Sequence, residues 1–360
     1  MHSRKLSSAA LVACALAFSL PANAQPATAG KTAEQAFKNI QVLQGTPADQ
    51  VLPAMQFIAA SLGVECEFCH VEHKFDADDK AEKKTARHMI TMTLAINKDS
   101  FSGRKEVTCY SCHRGSHDPV GTPPVVTSDG EPPHAEATAA PAAAAPTADQ
   151  LLEKYVAAVG GAEALHKISS RVSKGAIAFS GQETPIEVFA KAPDKRMSVT
   201  HSKNGDSITA FDGQAGWLGN TGRPARDMSG QEAEAARLDA DFYFPTHIKE
   251  IFSGFRVGRP DKVGDQAVYT LICMRQGQPP VRLYFDQSSG LLMRQVRYTD
   301  TPIGRNPTQI DYADYREVDG VKVPFRWTLA RINGRFTIQI HEAQQNVPVD
   351  DAKFAKPSAP

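Results

Sequence analysis

Apolar residues in this chain follow two different periods, and the change of period divides it. Between residues 46 and 97 they recur at helical spacing. Thr46-Pro47-Ala48-Asp49 has the make-up of a helix start, with a capping threonine, proline at the first helical position and a carboxylate near the positive end. Val51, Leu52, Met55, Ile58 and Leu62 then share one face, and Gly63 ends the run. A second helix is predicted over 76–97, with Met89, Ile90, Thr93, Leu94 and Ile96 towards its apolar side. Thr147 caps a third, periodic over 151–159 and broken at Gly160-Gly161, with one more turn expected over 162–168. Beyond that the apolar positions alternate in short runs: 186–190, 207–211, 281–285, 292–298, 308–312 and 336–341. Asn204-Gly205, Asp212-Gly213, Ser289-Gly290, Asp319-Gly320 and Asn333-Gly334 punctuate them, which predicts an antiparallel meander interrupted by a polar helix over 230–240.

Composition sharpens the division. Residues 120–146 are rich in Pro, Ala and Thr and cannot bury a core, so they read as a semi-extended linker. With 360 residues, 41% of them hydrophobic, the chain is expected to hold two domains. A small all-α domain over 31–118 is followed by a linker over 119–146. A mainly antiparallel β domain with short helices then covers 147–356. The formal net charge of +0 implies no bulk attraction to nucleic acid.

Residues 1–24 resemble a secretory signal peptide. Arg4 and Lys5 precede an apolar stretch over 6–20, and Ala22-Asn23-Ala24 offers a cleavage site before Gln25. Leu11-Val12-Ala13-Cys14 has the form of a lipoprotein box, which makes a lipid anchor at Cys14 the alternative. Either way the expected location is the periplasm or envelope. No other segment is long and apolar enough to span a bilayer as a helix.

The chemistry lies in two Cys-x-x-Cys-His motifs, Cys66-Glu67-Phe68-Cys69-His70 and Cys109-Tyr110-Ser111-Cys112-His113. Each is a c-type haem attachment sequence: the two thiols form thioethers to the haem vinyl groups, and the adjacent histidine becomes an axial iron ligand. The expected cofactors are therefore two covalently bound haem c groups, held by Cys66, Cys69, Cys109 and Cys112 with His70 and His113 on iron. A Cys₄ zinc site would leave both histidines without a purpose, and a dithiol redox site would need only one motif. Cys273 stands alone in a later strand as a small buried residue. For the sixth ligand, Met55 is the methionine near the first motif. Met89, Met92 and His88 are candidates for the second, since Met89 and Met92 are nearly co-facial, and His73 is a further candidate. The charged run from Asp76 to Arg87 reads as a solvated helix face.

On these residues the segment over 38–118 resembles the photosynthetic reaction-centre cytochrome c subunit family. The run Val107-Thr108-Cys109-Tyr110-Ser111-Cys112-His113-Arg114-Gly115 is its most characteristic stretch. In that family a helix methionine precedes each of several haem motifs and ligates its iron. The resemblance therefore implies Met55 for the first haem and Met89 for the second. Photosynthetic members carry more haems than the two motifs found here. The β domain resembles the half-barrel of outer-membrane lipoprotein-sorting proteins. Phe211-Asp212-Gly213-Gln214-Ala215-Gly216-Trp217, Tyr284-Phe285-Asp286 and Tyr315-Arg316-Glu317-Val318-Asp319-Gly320 carry that likeness.

The expected function is single-electron transfer by an exported dihaem cytochrome rather than catalysis. Its partner would be a redox protein such as a membrane-bound reaction centre or respiratory complex, with lipid or membrane contact through the half-barrel. The competing expectations are a dihaem peroxidase, which needs one iron with an open position, and a lipid-binding half-barrel that uses the haems as a redox sensor.

Overall fold

A computed structural model of the chain describes residues 30–122, 146–179, 181–228 and 230–357. The expected leader over 1–24, with Cys14, lies outside the described residues, as does most of the 119–146 linker.

The N-terminal region is helical. It contains α1 (Ala33–Ala36), a 3-10 turn (Ala48–Gln50), α2 (Val51–Leu62), α3 (Cys66–Cys69), α4 (Ala81–Phe101) and α5 (Cys109–His113). The predicted start at Thr46 is corrected in its detail. Pro47 occupies the cap position of the 3-10 turn without a side-chain cap, and the α-helix proper begins at Val51. Pro53 accounts for the delay: it has no N–H to give to Asp49, and its ring would clash with that carbonyl in a continuous helix. In the first turn of a helix that starts at Val51, the missing donor costs nothing.

The second predicted helix is also displaced. It spans Ala81–Phe101 rather than 76–97, because the carbonyls of Phe75 and Ala77 are taken by side chains, and Ser102 in the left-handed region ends it. Asn97, expected at the helix end, is buried. Its Nδ2 donates to Val107 O (2.6 Å), and its Oδ1 accepts from the N–H groups of Glu106 (3.0 Å) and Val107 (2.9 Å). That latch fixes the loop leading into the second motif.

Gly63 ends α2 as expected, with φ of +67°. It also touches the second motif's tail. A Cβ at Gly63 would lie 2.1 Å from the Gly115 carbonyl oxygen, and Gly115 N donates to Ser61 O (2.8 Å). Gly63→Ala should therefore destabilise the helical region by more than the ~1 kcal/mol of the left-handed penalty alone, measurable by thermal unfolding. A cost within 1 kcal/mol would contradict the close packing.

Thr147 caps α6 (Ala148–Ala158) through a capping box with Gln150, and α7 (Ala162–His166) follows. The strands are β1 (Ser170–Phe179), β2 (Gln182–Lys191), β3 (Lys195–Ser202), β4 (Gly205–Asp212), β5 (Gly216–Asn220) and β6 (Arg223–Asp227). After α8 (Gly230–Ala240), as predicted, and α9 (Phe244–Ile251) come β7 (Gly254–Val257), β8 (Asp261–Val263), β9 (Gln266–Met274) and β10 (Val281–Asp286). The chain continues with β11 (Leu292–Thr301), β12 (Gly304–Val318), β13 (Val321–Arg331) and β14 (Gly334–Gln345). All are antiparallel neighbours in one open sheet, order β6-β5-β4-β3-β2-β1-β14-β13-β12-β11-β10-β9-β7, with β8 also on β9. This is an antiparallel half-barrel with short helices. α6 and α9 bury Leu151, Leu152, Tyr155 and Ile248 against Leu271, Leu283, Phe285, Val321 and Ile340. Cys273 lies in this core, fully buried as expected, where desolvation pushes its thiol up to about 12.

The two regions meet at the apex of the β11–β12 hairpin. Ile303, 1% exposed, sits in the helical core with Leu43, Ala54, Ile58 and Ile90. Asn306 Nδ2 donates to Pro53 O (2.8 Å), and Lys105 Nζ donates to Thr301 O. Gly304 leaves room for the Phe57 ring, which would lie 2.4 Å from a Cβ placed there.

Candidate cofactor-attachment site

Both motifs form one short helical turn, and the backbone plan is the same. In each the residue before the first cysteine is extended, and the cysteines lie within the turn. α3 carries Cys66 and Cys69, with His70 as its C-terminal cap, and α5 carries Cys109, Cys112 and His113. α2 packs on α5, α3 packs on α4, and α4 also reaches α5. Together with the Gly63–Gly115 contact, this places the two motifs side by side.

The histidines are oriented alike. His70 Nδ1 lies 3.0 Å from Phe75 O, and His113 Nδ1 lies 3.0 Å from Ser116 O. A carbonyl only accepts, so each Nδ1 carries a proton, and in the neutral ring Nε2 then presents the lone pair. A metal-ligating histidine has this tautomer, with its other ring nitrogen held by a carbonyl. Burial, opposed by the bond to Phe75 and reinforced by Lys83, Arg87 and Lys80, holds the His70 imidazole below its usual range and favours the neutral, ligating form.

The thiols are unpaired. Burial pushes those of Cys66, Cys69 and Cys109 up, with Glu67 and Glu65 adding to the effect at Cys66. A dithiol redox centre has the opposite environment, one that lowers the thiol. Among the described residues no three His, Cys, Asp or Glu side chains converge as a metal cluster.

Met55 lies half-buried on α2 against the cluster of Leu43, Ala54, Ile58 and Ile90, which Cys109 also touches. Met89 and Met92 lie on one side of α4, 38% and 44% exposed, so the helix geometry does not choose between them. His73 and His88 are exposed. Phe68, Phe75 and Tyr110 of the same region also show large apolar surfaces. Phe68 and Tyr110 lie within the motifs themselves, so each turn presents apolar surface of the kind a flat apolar group such as haem would cover.

The charged run is corrected in one place. Lys83, expected on the solvated face, is 8% exposed and turned inward. Its Nζ donates to Phe75 O (2.9 Å) and Ala77 O (2.8 Å) and pairs with Asp78 (3.2 Å). Arg87 joins the same carboxylate at 2.9 Å, and Gln41 donates to it at 3.1 Å. Bonding from Arg87 first, then from Asn39 and Lys83, holds the Asp78 carboxyl far below the usual range.

Between the helical region and the sheet lies a chamber of about 500 Å³, walled by Leu52, Pro53 and Gln56 on one side and Arg226, Arg297 and Asn306 on the other. Its walls carry the ion pairs Arg226–Glu232 (2.8 Å), Arg275–Glu234 (3.1 Å) and Arg297–Asp239 (2.7 Å). His247 pairs with Asp241 at 2.9 Å outside both motifs.

Residues 6–152 match the family model described as photosynthetic reaction centre cytochrome C subunit. A photosynthetic reaction center cytochrome c subunit from Thermochromatium tepidum is 30% identical over 105 residues, covering 28% of this chain and 26% of that protein. The one from Roseobacter denitrificans is 36% identical over 99 residues, covering 24% of this chain and 26% of its own. The chain thus spans about a quarter of the length of these curated relatives. Among solved structures, a DUF1329 family protein from Desulfovibrio piger aligns over 57% of this chain and 96% of its own, with TM-score 0.42 and 13% identity. A LolA superfamily protein from Nitrosomonas europaea aligns over 59% of this chain and 99% of its own, with TM-score 0.40 and 15% identity. At these scores the likeness carries no ligand or activity across.

Proposed function

We propose, from the kinship of residues 6–152 with the reaction centre cytochrome C subunit family, that this chain is an exported dihaem c-type cytochrome that carries single electrons. The observation that carries the reading is the matched pair of histidines, each giving its Nδ1 proton to a backbone carbonyl at 3.0 Å and leaving Nε2 for iron. Cys66 and Cys69 would hold one haem c and Cys109 and Cys112 the other, with His70 and His113 as axial ligands. When bound, the haem supplies a one-electron couple. The protein keeps the imidazoles in one tautomer, shields the group with apolar side chains and holds the two motifs adjacent, so an electron need not leave the chain between them.

Met55 and Met89 are proposed as the other axial ligands, following the family pattern. Met55→Ala and Met89→Ala should each abolish one of two methionine-ligated low-spin signals in the optical and magnetic circular dichroism spectra. Retention of both signals in Met89→Ala would move the assignment to Met92. The proposed partner is a redox protein, either a membrane-bound reaction centre or a respiratory complex. Lipid contact through the half-barrel is a weaker proposal, since the chamber walls are lined with ion pairs that an acyl chain would have to lie against. Among the described residues no helix is long and apolar enough to cross a membrane. Intact mass together with a haem assay on protein from the periplasm or envelope tests the reading: two haem masses are expected, and the mass of the bare chain overturns it.

A further inference from the structure

We propose that Lys83 is a positioning residue for the first motif, holding the Phe75 carbonyl under His70 and so raising the reduction potential of the haem attached there above that of the second. This rests on the haem reading given above. The geometry is specific to one motif. Phe75 O accepts from His70 Nδ1 at 3.0 Å and from Lys83 Nζ at 2.9 Å. At the second motif Ser116 O accepts from His113 Nδ1, and among the described residues no lysine bonds it.

Two effects follow, and they have the same sign. A carbonyl already engaged by an ammonium is a weaker acceptor for the imidazole N–H. The ring then keeps less anionic character and supports the oxidised iron less well. The second effect is charge. Lys83, Arg87 and Lys80 all act on the His70 imidazole as positive neighbours. Lys83 and Arg87 share one carboxylate, Asp78, so Asp78 does not neutralise both. Glu65, Glu67 and Glu82 are exposed and act on the thiols of the motif. A buried positive charge beside the axial imidazole favours the reduced iron, which carries one less positive charge. Lys83 is buried, so water screens it little.

The test is a spectroelectrochemical titration of the full chain with its haems attached. The unmodified protein should show two waves. The first-motif wave is the one retained when Cys109 and Cys112 are both alanine. Lys83→Met should shift this wave alone to lower potential, changing its reduced-to-oxidised ratio about tenfold at a fixed electrode setting, which is 59 mV for one electron. Lys83→Arg, which keeps the charge, should restore most of it. Asp78→Asn, which removes the opposing charge, should move the same wave upward. Mere loosening of the loop would send Lys83→Met and Asp78→Asn in one direction, so opposite signs are diagnostic. Should Lys83→Met fail to take up haem, the direction of the Asp78→Asn shift decides. An unmoved wave, equal movement of both waves, or a downward shift in Asp78→Asn overturns the role of Lys83. A haem count below two in the unmodified protein overturns the underlying reading as well.

Discussion

Replacing Cys109 and Cys112 together by alanine should lower the haem content from two per chain to one and halve the α-band absorbance of the reduced protein. The two motifs are separate helical turns, each with its own cysteines, histidine and carbonyl partner. Loss of one pair of thiols therefore removes one attachment without dismantling the other. Stability should fall too. The helical region's own core is small, built around Leu43, Ala54, Ile58, Ile90 and the borrowed Ile303. Met89, Met92 and Tyr110 show large apolar surfaces that a haem would cover. Removing that cover should lower the unfolding temperature of the helical region by on the order of 10 °C, or about 2 kcal/mol. Pyridine haemochrome spectra and calorimetry measure both quantities. An unchanged haem content would show that the second motif is not an attachment site.

Ile303→Asp should be the most damaging single change in the sheet region. Ile303 is 1% exposed, and its neighbours Leu43, Ala54, Ile58 and Ile90 are all apolar. An aspartate there would lose about 2–3 kcal/mol of side-chain burial and strand a carboxylate without a partner, for a total of about 4 kcal/mol. The effect should appear in the helical region, although the mutation is in a β-hairpin. α2 carries Pro53, whose carbonyl is bonded by Asn306, and Phe57, which lies over Gly304. Ile303→Val, by contrast, should cost about 1 kcal/mol. Circular dichroism at 222 nm during denaturation would compare the two. Equal stability of Ile303→Asp and the unmodified chain would mean the hairpin does not dock as described.

Local signals gave much of this architecture because the forces behind them are local. Gly63 stops α2 through its left-handed backbone, Thr147 caps α6, and each Asn-Gly or Asp-Gly pair noted in the sequence stands at a turn. The Cys-x-x-Cys-His turns are legible for the same reason, and the proposed thioether attachment and axial ligation rest on that fixed spacing. Other features depend on distant partners. Lys83 sits in a run of charges that reads as solvated, and only the carbonyls of Phe75 and Ala77 and the Asp78 carboxylate make its burial tolerable. Asn97 stands at the end of the predicted helix but inside the observed one, Ala81–Phe101. Its side chain bonds backbone groups about ten residues on. β12 is longer than its alternating stretch because pairing with β11 and β13 extends it at both ends, and Asn306 in its first residues bonds Pro53 of the helical region. The one visible hint of this contact was an isoleucine at a hairpin apex, where polar residues are the rule.

The sheet is open, and its outermost strands are built in a way that discourages growth. β6 is only five residues long and has Pro224 between Arg223 and Arg226, and β7 is four residues long with Arg256 exposed. A proline offers no donor to an incoming strand, and a short charged edge gives a foreign chain little to zip onto. A chain built this way can keep a broad β surface at high local concentration without becoming a seed for fibrils.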